Sequence, residues 1–191
     1  MSEPPAAMTL KRWTKLSEAV LFKNPWWTYK KDSCLLPSGR NGEYHYVYSN
    51  GSSLVIPLMS DGTILLVNQY RYLVGRESLE FPCGSVKEGS SHDDAAACEL
   101  TEETGYSAGR LVRVGEFNPY NWVTNEMCCV YAASGLRHVG DHPDETEEFE
   151  SIVLTPGQID ERIDGGIIWD GMTIAAWAIA WRKIRGMISG G

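Results

Sequence analysis

The fold of this chain is decided by residues 82–106, which read PCGSVKEGSSHDDAAACELTEETGY. The proline and glycines in the first part of this stretch predict a loop. The second part predicts a helix, because Ser90 or Ser91 can cap its first amides and the alanine run at 95–97 favours helix. Gly105 supplies a C-terminal stop. We therefore expect a loop that leads directly into one helix.

Three carboxylates are spaced along the predicted helix at i, i+3 and i+4, and they belong to Glu99, Glu102 and Glu103. This spacing places them side by side on one helix face, where like charges repel. A hard divalent cation removes the repulsion, since Mg²⁺ takes oxygen ligands from carboxylates and from substrate phosphates. A solvated acidic face is the common alternative for such a triplet alone. Gly84 and the closing Gly105 favour the metal site.

The stretch resembles the Nudix box, whose pattern is G-x5-E-x7-R-E-U-x-E-E-x-G-U, with U a bulky apolar residue. The matching positions are Gly84, Glu99, Leu100, Glu102, Glu103 and Gly105, with Tyr106 as a loose match. Ser90 and Cys98 depart from the pattern, because the family has Glu and Arg there as an ion pair. A single loss would leave an unpartnered charge, which is costly when buried. We therefore expect Ser90 and Cys98 to act as a neutral substitute for that pair.

A second signature precedes the box, since the segment from Gln69 to Gly84 is similar to the Q-[FY]-R and E-F-P-A-G elements of Nudix hydrolases that act on ADP-ribose and nucleotide sugars. The resemblance implies that Arg71 contacts the diphosphate or terminal sugar and that Glu80 faces the metal site. It also implies that the carbonyl of Cys83 is an extra metal ligand. A surface ion pair is the alternative for Arg71, but a guanidinium fits phosphate oxygens well.

The loop at 118–126 follows a predicted strand at 110–117 and precedes a predicted strand at 127–133. Relatives of this type carry P-G-x-[ST]-x-E in the loop, whereas Asn121-Trp122 stands here in place of Pro-Gly. Glu126 matches the final Glu, so we expect it to make a polar contact with the substrate.

The acidic segment 140–150 is the expected source of a catalytic base. A charged surface loop is the simpler interpretation of its composition. The segment nevertheless resembles the D-E-x-E element from which Nudix hydrolases of this type often supply the base. The resemblance makes Glu147 the first choice, followed by Glu148 and Glu145, with Glu102 of the box as a further catalytic residue.

The N-terminal region predicts three strands, at Trp13–Phe22, Trp26–Leu36 and Glu43–Tyr48, separated by turns. A sheet this small is marginal unless it packs against something else. The region resembles the N-terminal sheet through which ADP-ribose-type Nudix hydrolases dimerise, so we expect a homodimer. In those relatives aromatic residues of the region stack on the nucleotide base. The residues implied here are Trp27 (or Trp26), Tyr44 and Tyr46, with packing in the core or interface as the alternative.

The predicted organisation has a disordered lead at 1–12, a β element at 13–50 and a Nudix domain at 51–191. The fold class is α+β, with a mixed sheet between helices in an α/β/α arrangement. Two apolar runs at 53–59 and 64–69 flank an Asp-Gly turn and predict a hairpin of buried strands. The last predicted helix is strongly apolar, and its tryptophans are expected in the core.

The amino-acid composition limits the classes of binding partner and the cellular compartment that we expect for the protein. The formal net charge of −8 argues against nucleic-acid binding, which needs a basic face. It also means that an anionic substrate needs local Arg or Lys and metal ions. The sequence shows neither a signal region nor a membrane span. The five cysteines form no C-x-x-C pair, which indicates reduced thiols in a cytoplasmic protein.

The resemblance implies Mg²⁺-dependent hydrolysis of ADP-ribose or a related nucleoside diphosphate sugar, with Mn²⁺ as the alternative ion. The products would be a nucleoside monophosphate and a sugar phosphate. Hydrolysis of a sugar nucleotide such as GDP-mannose or UDP-glucose remains open. A non-catalytic nucleotide-sensing Nudix module is the third reading, and the intact glutamate triplet counts against it.

Overall fold

The structure is a computed structural model that describes residues 10–140 and 149–188. These residues form twelve strands and three helices. The strands are β1 (Thr14–Lys23), β2 (Thr28–Leu35), β3 (Asn41–Tyr48), β4 (Ser52–Pro57), β5 (Ile64–Arg71), β6 (Arg76–Glu80), β7 (Cys83–Ser85), β8 (Tyr106–Ser107), β9 (Arg110–Phe117), β10 (Cys128–Ser134), β11 (Arg137–His138) and β12 (Glu150–Leu154). The helices are α1 (His92–Thr104), α2 (Pro156–Asp164) and α3 (Gly171–Ile188).

The chain divides into two compact units. Unit one comprises Met1–Ser49 and the short segment Trp122–Asn125, and unit two comprises Asn50–Asn121 and Glu126–Gly191. In unit one, β1, β2 and β3 form an antiparallel sheet in that order, which confirms the three predicted strands. The segment at 122–125 is attached to β3 by backbone pairing.

The main sheet of unit two has the strand order β7-β4-β10-β9, with β4 and β10 parallel and the other pairs antiparallel. Side chains alternate between its two faces. On β4, Leu54 and Ile56 join the larger apolar cluster, which includes side chains of α2 and α3. Val55 lies on the opposite face and packs with Leu100 of α1. Helices therefore cover both faces, which confirms the predicted α+β class and the α/β/α layering.

The predicted pairing of β4 with β5 is wrong. The turn between them is present, since Met59 N–H donates to Thr63 O at 2.9 Å, but the strands share only the isolated bridge between Leu58 and Ile64. Beyond it, β4 pairs with β7 and β10, whereas β5 belongs to the sheet β12-β5-β6. Both runs are continuous and apolar, which is typical of central strands whose partners come from elsewhere in the chain.

Helix α1 begins and ends as its sequence predicts. Ser91 is the N-cap: its hydroxyl accepts a hydrogen bond from Asp94 N–H, and the Asp94 side chain bonds back to complete a capping box. Gly105 ends the helix with φ 71° in the left-handed region. Tyr131 of β10 donates to Asp93 at 2.5 Å and ties the first turn to the sheet. These contacts position the glutamates of the last two turns.

Ser90 and Cys98, the two departures from the box pattern, were expected to replace a charged pair because an unpaired buried charge is costly. Their surroundings differ from that expectation. Both residues are exposed, so a charge placed there keeps its water. The penalty of about 3–5 kcal/mol for a buried unpaired charge does not apply. We expect Cys98→Arg to change the free energy of unfolding by no more than about 0.5 kcal/mol, as for most surface substitutions. Urea denaturation measures this change, and a loss of several kcal/mol would contradict the exposed position.

The structure also bears on the predictions about the tryptophans of the last helix and about the cysteines. Trp177 is buried in the larger cluster and stacks on Trp181 at 4.8 Å between ring centroids, which confirms their core role. All five cysteines are free thiols, as predicted. Within the described residues, no helix combines the length and the hydrophobicity that crossing a membrane requires.

Candidate active site

The first glycine of the box is required by the carboxylate that lies against it. A Cβ atom on Gly84 would lie 2.0 Å from Oε1 of Glu99, far inside van der Waals contact. Gly84 belongs to β7 and Glu99 to α1, so a missing side chain on the strand lets the helix carboxylate reach the strand backbone. The pattern glycine and the pattern glutamate, distant in sequence, therefore form one feature.

The ladder between β4 and β7 determines where the Cys83 carbonyl points. Val55 N–H donates to Pro82 O at 2.8 Å, so these two residues form a hydrogen-bonded pair. Bonded and non-bonded pairs alternate in an antiparallel ladder, and Cys83 opposite Leu54 is therefore a non-bonded pair. Because β7 is the edge strand, the Cys83 carbonyl points outward from the sheet. This orientation suits an extra metal ligand from the edge strand that precedes the helix.

The thiol of Cys83 is a poor ligand in comparison. A hydrogen bond with Cys128 and burial raise its pKa well above the ordinary value. The group is therefore a neutral thiol at physiological pH, whereas metal ligation by cysteine uses the thiolate. Only the backbone of Cys83 remains as a source of oxygen for a hard cation.

The three glutamates of α1 differ in environment. Glu103 is buried, with 9% of its surface exposed, Glu99 is half-buried and Glu102 is exposed. Among residues 10–140 and 149–188, no group of three or more His, Cys, Asp or Glu side chains is placed to hold a metal ion. The carboxylates of this triplet carry like charges on neighbouring turns of the helix, and like charges repel. These carboxylate oxygens and the carbonyl oxygen of Cys83 are the type of ligand that a hard divalent cation prefers.

Arg71 and Glu80 form a two-pronged ion pair on the β5–β6 hairpin. Nε of Arg71 donates to Oε1 of Glu80 at 2.8 Å, and Nη2 donates to Oε2. The Glu80 side chain is only 5% exposed, whereas the Arg71 side chain is 45% exposed. The hydrogen bonds that Arg71 donates to Glu80 are the main reason that the pKa of Arg71 is raised. The ion pair considered as the alternative for Arg71 is present, and its buried carboxylate anchors a guanidinium that still reaches solvent.

Two further carboxylates lie within electrostatic reach of Arg71. The charges of Asp170 and Glu103 both contribute to its raised pKa, after Glu80. Asp170 also caps α3, since Thr173 N–H donates to its Oδ2 at 2.7 Å. Glu103 of the box helix therefore acts electrostatically on Arg71 of the preceding signature. Sequence reasoning missed Asp170: its preference for a helix start was visible, but its proximity to Arg71 depends on long-range packing.

Glu126 lies two residues before β10 and accepts a hydrogen bond from the Ser52 hydroxyl at 2.6 Å. The bond orients its carboxylate from the neighbouring strand. Its contact with substrate stays a prediction. Glu145, Glu147 and Glu148, the candidates for the base, lie outside the described residues, as does the rest of 141–148.

The aromatic candidates for base stacking lie in unit one. Trp27 is 43% exposed and packs on Phe22, with ring centroids 5.6 Å apart. Tyr44 is 39% exposed and meets Trp13 edge-on at 5.9 Å. Tyr46 lies on the same strand face as Tyr44, and its hydroxyl bonds to carboxylates within the sheet. Their stacking role stays a prediction.

Gly84→Ala is expected to abolish most activity while the protein stays folded. The added methyl group would meet the end of the flexible Glu99 side chain rather than backbone, so the carboxylate moves and the strand does not. We expect a fall in kcat of about 10–100-fold, the usual cost of changing a residue that orients a metal-site carboxylate. Gly157→Ala is the control, because a Cβ there meets nothing within 4 Å. Equal activity of the two variants would show that the position of Glu99 is unimportant.

Comparison with known protein families gives two matches that together span most of the chain. The NUDIX domain matches residues 50–169. The nucleoside diphosphate sugar hydrolase N-terminal domain matches residues 13–47. The first match contains the box and the preceding signature, and the second contains the sheet of unit one.

Individual relatives agree with these matches. The chain is 27% identical to the ADP-ribose pyrophosphatase of Bacillus subtilis (strain 168), over 78% of this chain and 81% of that protein. It is 29% identical to the methanol dehydrogenase activator of Bacillus methanolicus, over 76% of this chain and 80% of that protein. The fold is similar to that in a crystal structure of an ADP compounds hydrolase, with a TM-score of 0.81, 17% identity and coverage of 95% and 98%.

Proposed function

The chain belongs to the Nudix family, and from this we propose that it is a pyrophosphohydrolase that cleaves the diphosphate of ADP-ribose or a related nucleoside diphosphate sugar. The products are a nucleoside monophosphate and a sugar phosphate. The observation that carries the proposal is the close approach of Glu99 to Gly84, because it joins the box helix to the end of the preceding signature. The name of the Bacillus subtilis relative supports ADP-ribose, and the N-terminal match supports nucleoside diphosphate sugars more broadly.

Nudix hydrolases generally use divalent metal ions, and we propose Mg²⁺, with Mn²⁺ as a substitute. Glu99, Glu103 and the Cys83 carbonyl would hold the ions, with Glu102 less directly. A bound divalent ion would supply charge neutralisation and would lower the pKa of water. The donors are oxygens, which suits these hard cations better than softer ones.

The residues of the chain have separate tasks in this proposal. Arg71 binds the diphosphate through the edge of its guanidinium formed by the two Nη groups, because Glu80 occupies the edge formed by Nε and Nη2. Glu80 is the positioning residue for Arg71, since a buried carboxylate fixes the plane of the guanidinium. Glu147 removes a proton from the attacking water. General-base catalysis requires this carboxylate to lie within hydrogen-bond reach of that water.

We propose further that Trp27, Tyr44 and Tyr46 contact the nucleotide base and that Glu126 contacts the substrate. Tyrosine and tryptophan rings stack on any base, so they favour nucleotides without selecting among them. Sugar and base preference therefore depends on other groups.

A panel of substrates tests the proposed function. The protein is incubated with ADP-ribose, GDP-mannose and UDP-glucose in Mg²⁺, and phosphate is measured after phosphatase treatment of the products. Hydrolysis of ADP-ribose at the highest kcat/KM supports the specific proposal. Preference for GDP-mannose or UDP-glucose would retain the chemistry and change the substrate. Absence of hydrolysis with every substrate, in Mg²⁺ and in Mn²⁺, would overturn the proposal.

We also propose a homodimer formed through unit one. Every residue of β1 is exposed, and the unit displays many large apolar side chains to solvent. These are Trp13, Leu16, Val20, Leu21, Phe22, Trp26, Trp27, Leu35, Tyr44 and Tyr48, each at least 38% exposed. An apolar surface this rich in aromatics indicates a protein interface. Sedimentation at micromolar concentration should give a dimer, and a monomer would overturn this part of the proposal.

We also propose that the protein is located in the cytoplasm, because its five free thiols suit a reducing compartment.

A further inference from the structure

Two arginines lie directly opposite each other at the end of the β5–β6 hairpin. Arg71 is the register partner of Arg76, so both side chains project from the same face. Gln69, Ser78 and Glu80 occupy the next positions of that face. Like charges in opposed positions destabilise a hairpin unless each is otherwise compensated. The positive charge of Arg71 is compensated by Glu80, whereas the charge of Arg76 needs a different partner.

Arg76 is held by an aromatic ring instead of a carboxylate. Its guanidinium carbon lies 4.0 Å from the ring centroid of Trp169. The ring is itself fixed, because Nε1 of Trp169 donates to the carbonyl of Glu77 at 3.1 Å. This interaction uses the flat face of the guanidinium and leaves the N–H groups around its edge free to bind a planar or tetrahedral anion. In residues 10–140 and 149–188, Arg76 forms no salt bridge.

The acidic environment of Arg71 favours a second guanidinium nearby for binding an anionic substrate. The chain carries a formal charge of −8, and Glu80, Glu103 and Asp170 all act on Arg71. One edge of Arg71 is already bonded to Glu80, so Arg71 alone offers one free edge to a dianionic diphosphate. Arg76 is exposed, preoriented and on the same face.

We propose that Arg76, oriented by Trp169, is a second phosphate-binding residue of the substrate site, with Arg71 and Arg76 each contacting the diphosphate. The proposal rests on the proposed function, since it assigns Arg76 to the same substrate. Trp169 is a positioning residue, which limits the rotamers of Arg76 and lowers the entropy lost on binding. Together the two arginines favour a diphosphate over a monophosphate.

The first test separates binding from turnover. Arg76→Ala is expected to raise KM for ADP-ribose about 10–100-fold, as for the loss of a charge-assisted hydrogen bond, with kcat little changed. Arg76→Lys keeps the charge without the planar fork and should recover only part of the loss. Trp169→Leu keeps Arg76 and should raise KM by a smaller factor. Arg110→Ala, an exposed arginine at the start of β9, controls for the change in net charge.

The second test measures the affinity for inorganic pyrophosphate by calorimetry in the presence of EDTA. It therefore requires neither catalysis nor a metal ion. Weaker binding of pyrophosphate by Arg76→Ala than by Arg110→Ala supports the proposal. Equal binding, with equal KM for ADP-ribose, would overturn it, and a lower melting temperature as the sole effect would identify Arg76 as a structural residue. A wild-type protein that binds pyrophosphate through Arg76 but hydrolyses no nucleotide sugar would overturn the proposed function and retain this anion site.

Discussion

Glu103→Gln is expected to lower kcat for ADP-ribose by at least about a hundredfold at saturating Mg²⁺. Even partners outside the immediate ligand set of a metal site typically contribute about 10–100-fold, and Glu103 is proposed as a direct ligand. Glutamine has the same shape but no charge, and it keeps one oxygen, so the buried position stays filled. Product release measured against Mg²⁺ concentration should show both a lower maximum and a higher requirement for the ion.

The matched control for Glu103 is Glu161→Gln, which removes one exposed carboxylate from α2 and leaves the box unchanged. Its activity should equal that of the wild type. Circular dichroism of both variants checks the fold. Near-normal turnover of Glu103→Gln would remove the glutamate from the metal site. In that case the electrostatic effect of Glu103 on Arg71 would serve stability rather than metal binding.

Glu147→Gln is expected to lower kcat by about 10²–10⁴, the usual contribution of a general base, with little change in substrate affinity. The residue lies outside the described part of the chain, so this expectation comes from the resemblance of 144–150 to the family segment. A base acts on the proton of water in the transition state, and its loss therefore affects kcat more than binding. Single-turnover rates and binding of ADP-ribose in EDTA measure the two quantities separately.

Neighbouring carboxylates provide the controls for the base. Glu150 is exposed at the start of β12, and Glu150→Gln should retain activity, as should Glu145→Gln. A large loss in Glu148→Gln, with Glu147→Gln nearly active, would place the base one residue further on. Normal activity of every variant would exclude a base from segment 140–150 and leave activation of water to the glutamates of the box.

Local features of the fold were predictable from the sequence because they depend on neighbouring residues. The bounds of α1 follow from Ser91 and Gly105, whose capping geometry acts within one turn of the helix. The strands of unit one and β9 were predicted close to their observed positions, since turn residues separate them. The glutamate triplet was equally visible, because helical spacing alone puts its members on one face.

Pairing between strands could not be predicted in the same way. Both β4 and β5 read as buried strands joined by a short turn, which ordinarily indicates a hairpin. Their hydrogen bonds go instead to β7, β10, β6 and β12. A buried apolar strand is satisfied by any partner of suitable length, so its own residues do not specify which one it takes. The exposed position of Cys98 was left open for a related reason, since the helix has little apolar periodicity to indicate which residues lie outside.

The sequence alone was enough to assign the family, to predict the helix that carries the carboxylates and to propose the site residues, because a spaced motif records local geometry and chemical type. Only the tertiary structure decided that Glu99 lies against Gly84, that Glu80 engages Arg71 and that Arg76 rests on Trp169. Each of these contacts joins two elements whose approach depends on the packing of the whole core. Side-chain chemistry is encoded residue by residue, whereas the distance between two side chains follows from long-range packing.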